Sequence, residues 1–463
     1  MGEAGNTAIG RIASLLDANS FVEIGAGITA RTTDFGLAAK DARNDGAVTG
    51  YGTVDGSLVY VYAQDPEVLG GTVGEMHARK VRHIYSMAAK MGAPVVAMLD
   101  SKGIRIEESS DALSALGSIY RSVAALSGVV PTIAAVYGEC GGGLSFIPAL
   151  SDFVFMAKGA KLFVNSPDAI EGNSADACDT SAADFQEEAG NVDFAGTAEE
   201  VAAAMKKLIS LLPANNADEG EYFPGEDDPN RQVGNLTAAE GGAAGMCALL
   251  ADDGDFFETK AGFGKNVVTG FMRLNGQTVG AVACSEEGKL CASCADKAAS
   301  FINFCDAYGI PVLTLANAAS YSRCKCGEKK LPAACARLVN AYAEATVPKV
   351  TVVTGSAIGS AGVVMGSKAV GADMVYAYAG AQVSAIDSKE AGAILCAEGT
   401  AAEQKKAAAG YAALQGSTDS AVRRGFVDAV IEPADTRRYA IGAFEMLYSK
   451  KEDRPEKKHG TIL

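Results

Sequence analysis

The stretch Gly92-Ala93-Pro94-Val95-Val96-Ala97-Met98-Leu99 is answered by Gly309-Ile310-Pro311-Val312-Leu313-Thr314-Leu315, 217 residues further on (311 − 94 = 217). In each copy a glycine-x-proline stop closes a helical pattern, Gly74 to Met91 and Asp296 to Tyr308, and leads into an apolar run of strand length. Downstream, Val130-Pro131 and Val347-Pro348 keep the same spacing, and each opens another apolar strand that runs into glycine-rich sequence. Upstream, Val48-Thr49-Gly50-Tyr51-Gly52 and Gly56-Ser57-Leu58-Val59-Tyr60-Val61-Tyr62 read as a hairpin around Asp55-Gly56. Val268-Thr269-Gly270-Phe271 and Val279-Gly280-Ala281-Val282 repeat that hairpin around Asn275-Gly276. A register held over most of a domain means that one folding unit is present twice. Strand, helix, strand and glycine turn, in that order, predict an α/β fold with mostly parallel, buried strands.

The 463 residues are enough for two or three domains with sizeable cores. Between the copies, Pro213 to Arg231 holds Asn215-Asn216, Pro224-Gly225, Glu226-Asp227-Asp228 and Pro229, a composition that predicts an exposed linker. The expected division is a first domain at 1–212, an acidic linker at 213–235 and a second domain at 236–463.

Forty Lys plus Arg against 56 Asp plus Glu give a net charge of −16, which argues against nucleic acid as a partner. An anionic ligand must therefore be met by local cations, helix N-termini or backbone N–H groups. Met1 to Phe21 does not read as a signal peptide, and no apolar run approaches the roughly 18 residues of a membrane span. Eleven irregularly placed Cys read as reduced intracellular thiols, so the expected compartment is the cytoplasm, without direct membrane insertion.

Only three His are present, at 77, 83 and 459, too few and too scattered to assemble a Ser-His-Asp triad. What recurs is a strand that ends in glycine-rich backbone: Ser101-Lys102-Gly103-Ile104-Arg105, Gly138 to Gly143, and Gly355 to Gly362. Such turns present N–H groups beside the positive end of a helix dipole and suit an oxyanion, of which a thioester enolate is one kind.

Over nearly its whole length the sequence resembles the biotin-dependent acyl-CoA carboxyltransferases, whose subunits are two crotonase-like domains (the ClpP/crotonase ββα superhelix) in tandem. The resemblance rests on Asp45-Gly46-Ala47-Val48-Thr49-Gly50-Tyr51-Gly52, Gly70-Gly71-Thr72-Val73-Gly74-Glu75-Met76-His77 and Ser127-Gly128-Val129-Val130-Pro131. In the second half it rests on Asp296-Lys297-Ala298-Ala299, Phe304-Cys305-Asp306-Ala307, Glu344 to Thr351, Met365-Gly366-Ser367-Lys368 and the ending Pro455 to Gly460.

The resemblance implies that carboxybiotin on a separate carrier releases CO2, and that the biotin enolate left behind takes the α-proton of an acyl-CoA, whose own enolate then attacks CO2. Two oxyanion holes serve the two enolates. By position, the acyl-CoA hole falls at Gly103-Ile104 and Gly141-Gly142-Gly143, and the biotin hole at Ser320-Tyr321 and Gly359-Ser360-Ala361. Lys102, Arg105, Arg79 and Lys80 are the basic residues expected to meet CoA, and Val363 is expected to shape the acyl pocket. Family sites form between the first domain of one subunit and the second of another, which implies a homo-oligomer, a hexamer or a smaller dimer-based form. The further partners implied are a biotin carrier protein and either a biotin carboxylase or a membrane decarboxylase subunit, through which the chain would sit at a membrane.

The turns depart from the family pattern. Lys102-Gly103-Ile104 stands for Gly-Gly-Ala, Ala319-Ser320-Tyr321 for Pro-Gly-Phe, Gly359-Ser360-Ala361 for Gly-Gly-Ala, and Thr180 to Phe185 for Gly-Gly-Ala-x-x-His. A serine costs little at negative φ but much at positive φ. Two other features invite a reading and are set aside. Ala204-Met205-Lys206-Lys207 looks like a biotin acceptor but lies in a helical run from Ala198 to Leu212. Cys291 and Cys294, with Cys284, Cys324 and Cys326, have only partly metal-like spacing, so no metal is expected. The competing functional readings are a biotin-independent crotonase-type enzyme using Glu139 or Glu107, and an inactive scaffold subunit.

Overall fold

The computed structural model describes residues 7–33, 42–218, 220, 222–223, 225, 227–234, 236–457 and 461. Parts of the sequence features above, at residues 1–6, 219, 221, 224, 226, 235 and 458–460, lie outside the described residues. The chain divides into two compact units, Met1–Gly220 and Glu221–Leu463.

The first unit runs α1 (Ala8–Leu15), β1 (Val22–Glu23), β2 (Ala47–Val54), β3 (Ser57–Gln64), α2 (Glu75–Met91), β4 (Val95–Ser101), α3 (Ser109–Ala124), β5 (Thr132–Gly141), α4 (Phe146–Ala149), β6 (Phe153–Ala157), β7 (Lys161–Phe163), α5 (Ala183–Glu188), β8 (Phe194–Gly196) and α6 (Ala198–Leu211). Its sheet has the order β1-β2-β3-β4-β5-β6-β8, with β7 also paired to β5. The first three strands are antiparallel and the rest parallel.

The second unit runs α7 (Gly242–Leu250), β9 (Phe256–Thr259), β10 (Val267–Leu274), β11 (Gln277–Cys284), β12 (Lys289–Leu290), α8 (Ala292–Ala307), β13 (Val312–Ala318), β14 (Ser320–Tyr321), α9 (Lys325–Glu328), α10 (Leu331–Glu344), β15 (Lys349–Ile358), α11 (Gly359–Val364), β16 (Met374–Tyr378), β17 (Gln382–Ser384), α12 (Ser388–Leu395), α13 (Ala401–Tyr411), α14 (Thr418–Arg423), β18 (Ala429–Ile431) and α15 (Thr436–Leu447). The sheet order β9-β10-β11-β13-β15-β16-β18, with β17 on β15, is the topology of the first unit over again, plus a separate short pair β12-β14.

The local chemistry explains the repetition. Gly92 ends α2 in the left-handed region, with φ of 63°, and the prolines that follow cannot continue a helix. Their carbonyls instead start the ladders: Pro94 accepts from Tyr60 N and Pro311 from Gly280 N, while Pro131 accepts from Val95 N and Pro348 from Val312 N. Both hairpin turns need positive φ at two residues, and an aspartate collects their N–H groups in each unit. Asp17 takes those of Asp55 and Gly56, and Asp252 those of Asn275 and Gly276. The parallel strands β4 and β13 are buried along almost their full length, and β5 and β15 over their first halves.

The expected linker is not free-standing. Asn215 donates to Gly92 O and Asn216 N to Val129 O in the first unit; Phe223 N donates to Gly276 O and Val233 N to Ala434 O in the second. The stretch resembling a biotin acceptor lies inside α6, with Met205 fully buried.

Gly138 and Gly355 mark a repeated close approach. A Cβ at Gly138 would lie 1.9 Å from Asp100 Oδ1, and one at Gly355 2.6 Å from Asn317 Oδ1. Gly138→Ala therefore displaces Asp100, and overpacking of this kind costs about 1–3 kcal/mol. The expected result is a lowered thermal unfolding midpoint, with no loss for Gly117→Ala inside α3, where the added Cβ meets nothing within 4 Å.

Candidate active site

In the first unit the candidate donors stand at the carboxyl ends of β4 and β5, where the pairing register slips between Leu99 and Ser101. Ser101 pairs with Cys140, so the turns after the two strands are neighbours. A parallel bridge joins Val73 to Ile104. Val73 N donates to Gly103 O and Arg105 N to Val73 O, both at 2.9 Å, and strand alternation turns the intervening Ile104 N–H to the other side. Gly103 has φ of 114° and its N–H is taken by Ser101 Oγ at 3.1 Å. After β5, Gly142 has φ of 58°, and Gly142 and Gly143 open a 3-10 turn, the position where backbone N–H groups lack intrahelical acceptors. Tyr120 of α3 pins this turn by donating to Gly143 O at 2.6 Å.

The second unit repeats each step. The register slips between Ala316 and Ala318, and Ala318 pairs with Ala357. Leu290 pairs with Tyr321, and Ser322 N donates to Leu290 O at 2.9 Å. Ser320 N donates to Gly288 O, so within Ser320-Tyr321 it is the Tyr321 N–H that faces away from the bridge. Gly359, with φ of 56°, stands where Gly142 stands, and it opens α11. Ser360 and Ser320 have no positive φ, so both serines occupy positions a side chain accepts. The Tyr321 hydroxyl donates to Ser360 Oγ at 3.1 Å, tying the two turns together. Gly359, Ser360, Gly362 and Val363 line a cavity of about 630 Å³ whose other walls include Val353, Val375 and Phe426, with Lys368 and Arg424 among its polar residues.

A network that sequence reading missed stands behind the first-unit turn. The Arg105 guanidinium, 1% exposed, pairs with Asp45 and with Glu108 at 2.9 Å, and donates to Thr72 O at 2.7 Å. Asp45 accepts from His77 N at 2.6 Å, and its carbonyl lies 2.9 Å from His77 Nδ1. That contact requires a proton on Nδ1, which leaves Nε2 to accept from Gln64 Nε2 at 3.4 Å. Gln64 Oε1 takes the Asp100 N–H, and Asp100 pairs with buried Arg11 at 2.7 Å. Burial, followed by the nearby Arg105 charge, holds the His77 imidazole down to about 3, so it is neutral. Burial raises the Asp45 carboxyl although Arg105 opposes the shift.

Two of the basic residues expected at CoA are corrected here. Arg105 is committed to its buried carboxylates and cannot reach a solvent phosphate without abandoning them. Lys80 is 3% exposed and donates to the carbonyls of Asn44 and Ala47; burial brings its ammonium down to about 8. Its counterpart Lys297 does the same with Lys260 O and Phe263 O, which marks a structural lysine repeated in both units. Lys102 and Arg79 are exposed, Arg79 standing 4.0 Å from Glu75. Glu107 and Glu139 are exposed. Among the described residues no three His, Cys, Asp or Glu side chains are grouped to hold a metal, and no helix is long and apolar enough to cross a membrane.

Two tandem α/β units of one repeated topology define the fold as a pair of crotonase-like domains. Residues 2–462 match the carboxyl transferase domain, and the chain belongs to that family. It is 37% identical to the methylmalonyl-CoA decarboxylase subunit alpha of Veillonella parvula, over 98% of this chain and 92% of that protein. It is 38% identical to the propionyl-CoA carboxylase beta chain of Roseobacter denitrificans, over 98% and 93%. Among solved structures it is similar to the transcarboxylase 12S hexamer with methylmalonyl-coenzyme A bound, with a TM-score of 0.94 and 36% identity over 98% of this chain and 92% of that one.

The buried histidine gives a signed pH dependence. Unfolded His77 takes up a proton near pH 6.5, whereas folded His77 does so only near 3, so its contribution to stability is lost as pH falls through that window. Urea unfolding between pH 7 and 4 is expected to show a shallower fall in stability for His77→Gln than for the unaltered chain.

Proposed function

We propose that this chain is the carboxyltransferase subunit of a biotin-dependent enzyme, moving a carboxyl group between biotin on a separate carrier and an acyl-CoA of propionyl or methylmalonyl size. The observation that carries this reading is the duplication of the donor turn: the same bridge, followed by the same positive-φ glycine, leaves one N–H facing outward in each unit. One turn alone would serve any enolate chemistry; two matched turns fit a reaction in which negative charge gathers on two oxygens. The relatives' names supply the acyl-CoA class.

In the first unit, removal of the α-proton places charge on the thioester oxygen, which the N–H groups of Ile104 and Gly143 are set to receive. The donors in the second unit fit a neutral ureido bicycle, because the turn at Gly359 opens into a largely apolar cavity. Biotin supplies the carboxyl group and a ureido oxygen on which charge develops. The Tyr321 and Ser360-Ala361 N–H groups receive that charge, and the Tyr321 to Ser360 hydrogen bond fixes their spacing. Val363, beside the Gly359 turn, is assigned to limit the size of the acyl group that meets biotin there. Lys102 and Arg79 are the exposed cations assigned to the CoA phosphates. The chain works in a homo-oligomer, of which the hexameric transcarboxylase is the template, with a carrier protein and either a biotin carboxylase or a membrane decarboxylase subunit. The preserved turn geometry favours this reading over an inactive scaffold, and Glu139 and Glu107 lie exposed at the surface of their unit.

The purified chain, given a panel of acyl-CoA thioesters, is expected to transfer carboxyl groups only when free carboxybiotin or a carboxylated carrier is present; turnover indifferent to biotin refutes the assignment. Gly359→Ala forces a side chain to positive φ and misplaces the donors, so kcat should fall by about 10²-fold while CoA binding by calorimetry stays unchanged. Lys102→Ala should raise KM for the thioester several-fold with kcat preserved, the signature of lost uniform binding.

A further inference from the structure

Cys291 and Cys294 have no part in the reaction above, yet their geometry is specific. Cys291 caps the N-terminus of the sixteen-residue helix α8, where its Sγ accepts the Cys294 N–H at 3.3 Å. The two Sγ atoms lie 2.8 Å apart, and Cys294 Sγ also faces Gly264 O at 3.4 Å. A disulfide bond is about 2.05 Å long, so closure asks the sulfurs to approach by less than about 1 Å. Cys291 is half-buried and can be reached, whereas Cys294 is buried behind it, the usual division between an attacking and a resolving thiol.

The surroundings distinguish the pair from the other thiols. Burial pushes Cys140 up to about 12 and Cys284 up to about 11, which makes them inert. The Cys294 thiol, and then backbone N–H groups, instead draw Cys291 down, while Cys294 is pushed up. The helix dipole acts in the same direction at Cys291.

We propose that Cys291 and Cys294 are a redox-active dithiol that closes to a disulfide by exchange with a low-molecular-weight disulfide. The Cys291 thiolate attacks one sulfur of the small disulfide, breaking its S–S bond and expelling one thiolate, which takes up a proton. Cys294 then gives its proton to solvent and attacks Cys291 Sγ, expelling the second small thiolate. Two protein thiols are oxidised and one small disulfide is reduced to two thiols. The site adjoins Leu290, whose pairing with Tyr321 holds the second-unit turn, but the exchange chemistry does not depend on carboxyl transfer.

The test equilibrates the reduced, full-length chain at pH 7 with oxidised and reduced glutathione in varied ratio, followed by acid quench, alkylation and peptide mass analysis. The peptide carrying both residues is expected to lose two hydrogens and to resist alkylation by about tenfold or more, and dithiothreitol should reverse both changes. In Cys294→Ser a single glutathione should stay attached to Cys291, because nothing resolves the mixed disulfide. In Cys291→Ser the buried Cys294 should acquire none. The proposal is overturned if both thiols remain alkylated at the most oxidising ratio, or if Cys294→Ser holds no adduct on Cys291.

Discussion

A parallel bridge made by two backbone hydrogen bonds is what the rest of each unit is arranged around. Val73 grips Ile104, and Leu290 grips Tyr321, at the point where a buried parallel strand has just left its sheet through a register slip. Without the bridge the chain after β4 or β13 would be a surface loop with no preferred direction for its N–H groups. With it, strand alternation commits the flanking groups and turns the middle N–H outward. The neighbouring glycine turn, where Gly142 and Gly359 adopt a φ that a side chain would resist, is the proposed second donor.

The two units reinforce the bridge by different means. In the first, Arg105 follows the bridged residue and carries its charge inward to Asp45 and Glu108. Taking one partner from a buried ion cluster typically costs about 3–5 kcal/mol, since the remaining charges are left unpaired. The cluster also reaches α2 through Glu108, which accepts the Glu75 N–H at the helix start, and β3 through His77 and Gln64. In the second unit Ser322 holds the corresponding place, and the bridge is instead widened to the pair β12-β14 and tied across by the Tyr321 and Ser360 hydroxyls. Asp100 and Asn317 show the same economy. Both accept the N–H of the residue after the close-packed glycine, but the charged one is balanced by Arg11 and the neutral one by the carbonyls of Ser285 and Glu286.

On the proposed reading, a net charge of −16 is reconciled with an anionic ligand by local groups, backbone donors for the enolates and exposed Lys102 and Arg79 for the phosphates, rather than by a broad basic surface. Two of the four cations singled out beside the first turn are interior groups. Lys80 lies on the face of α2 that buries His77, Val81, Ile84 and Ala88, and the same residue type recurs as Lys297. That placement and recurrence were available in the sequence and signalled a structural lysine. For Arg105 no comparable signal existed, because its partners Asp45 and Glu108 stand 60 residues before it and 3 after it, and distant charges carry no mark of pairing.

The sequence by itself determined the duplication, the α/β class, both hairpins, the strand and helix order and the two glycine-rich turns. All of these follow from short-range stereochemistry: periodicity, proline stops, and residue types that tolerate positive φ. Only the tertiary structure decided which N–H in each turn faces outward, which cations are buried, that serine is accepted at positions 320 and 360, and that Asn215, Asn216, Phe223 and Val233 bond to their units. Those outcomes depend on bridges, buried charges and strand registers between residues far apart in the chain, where local sequence carries little information.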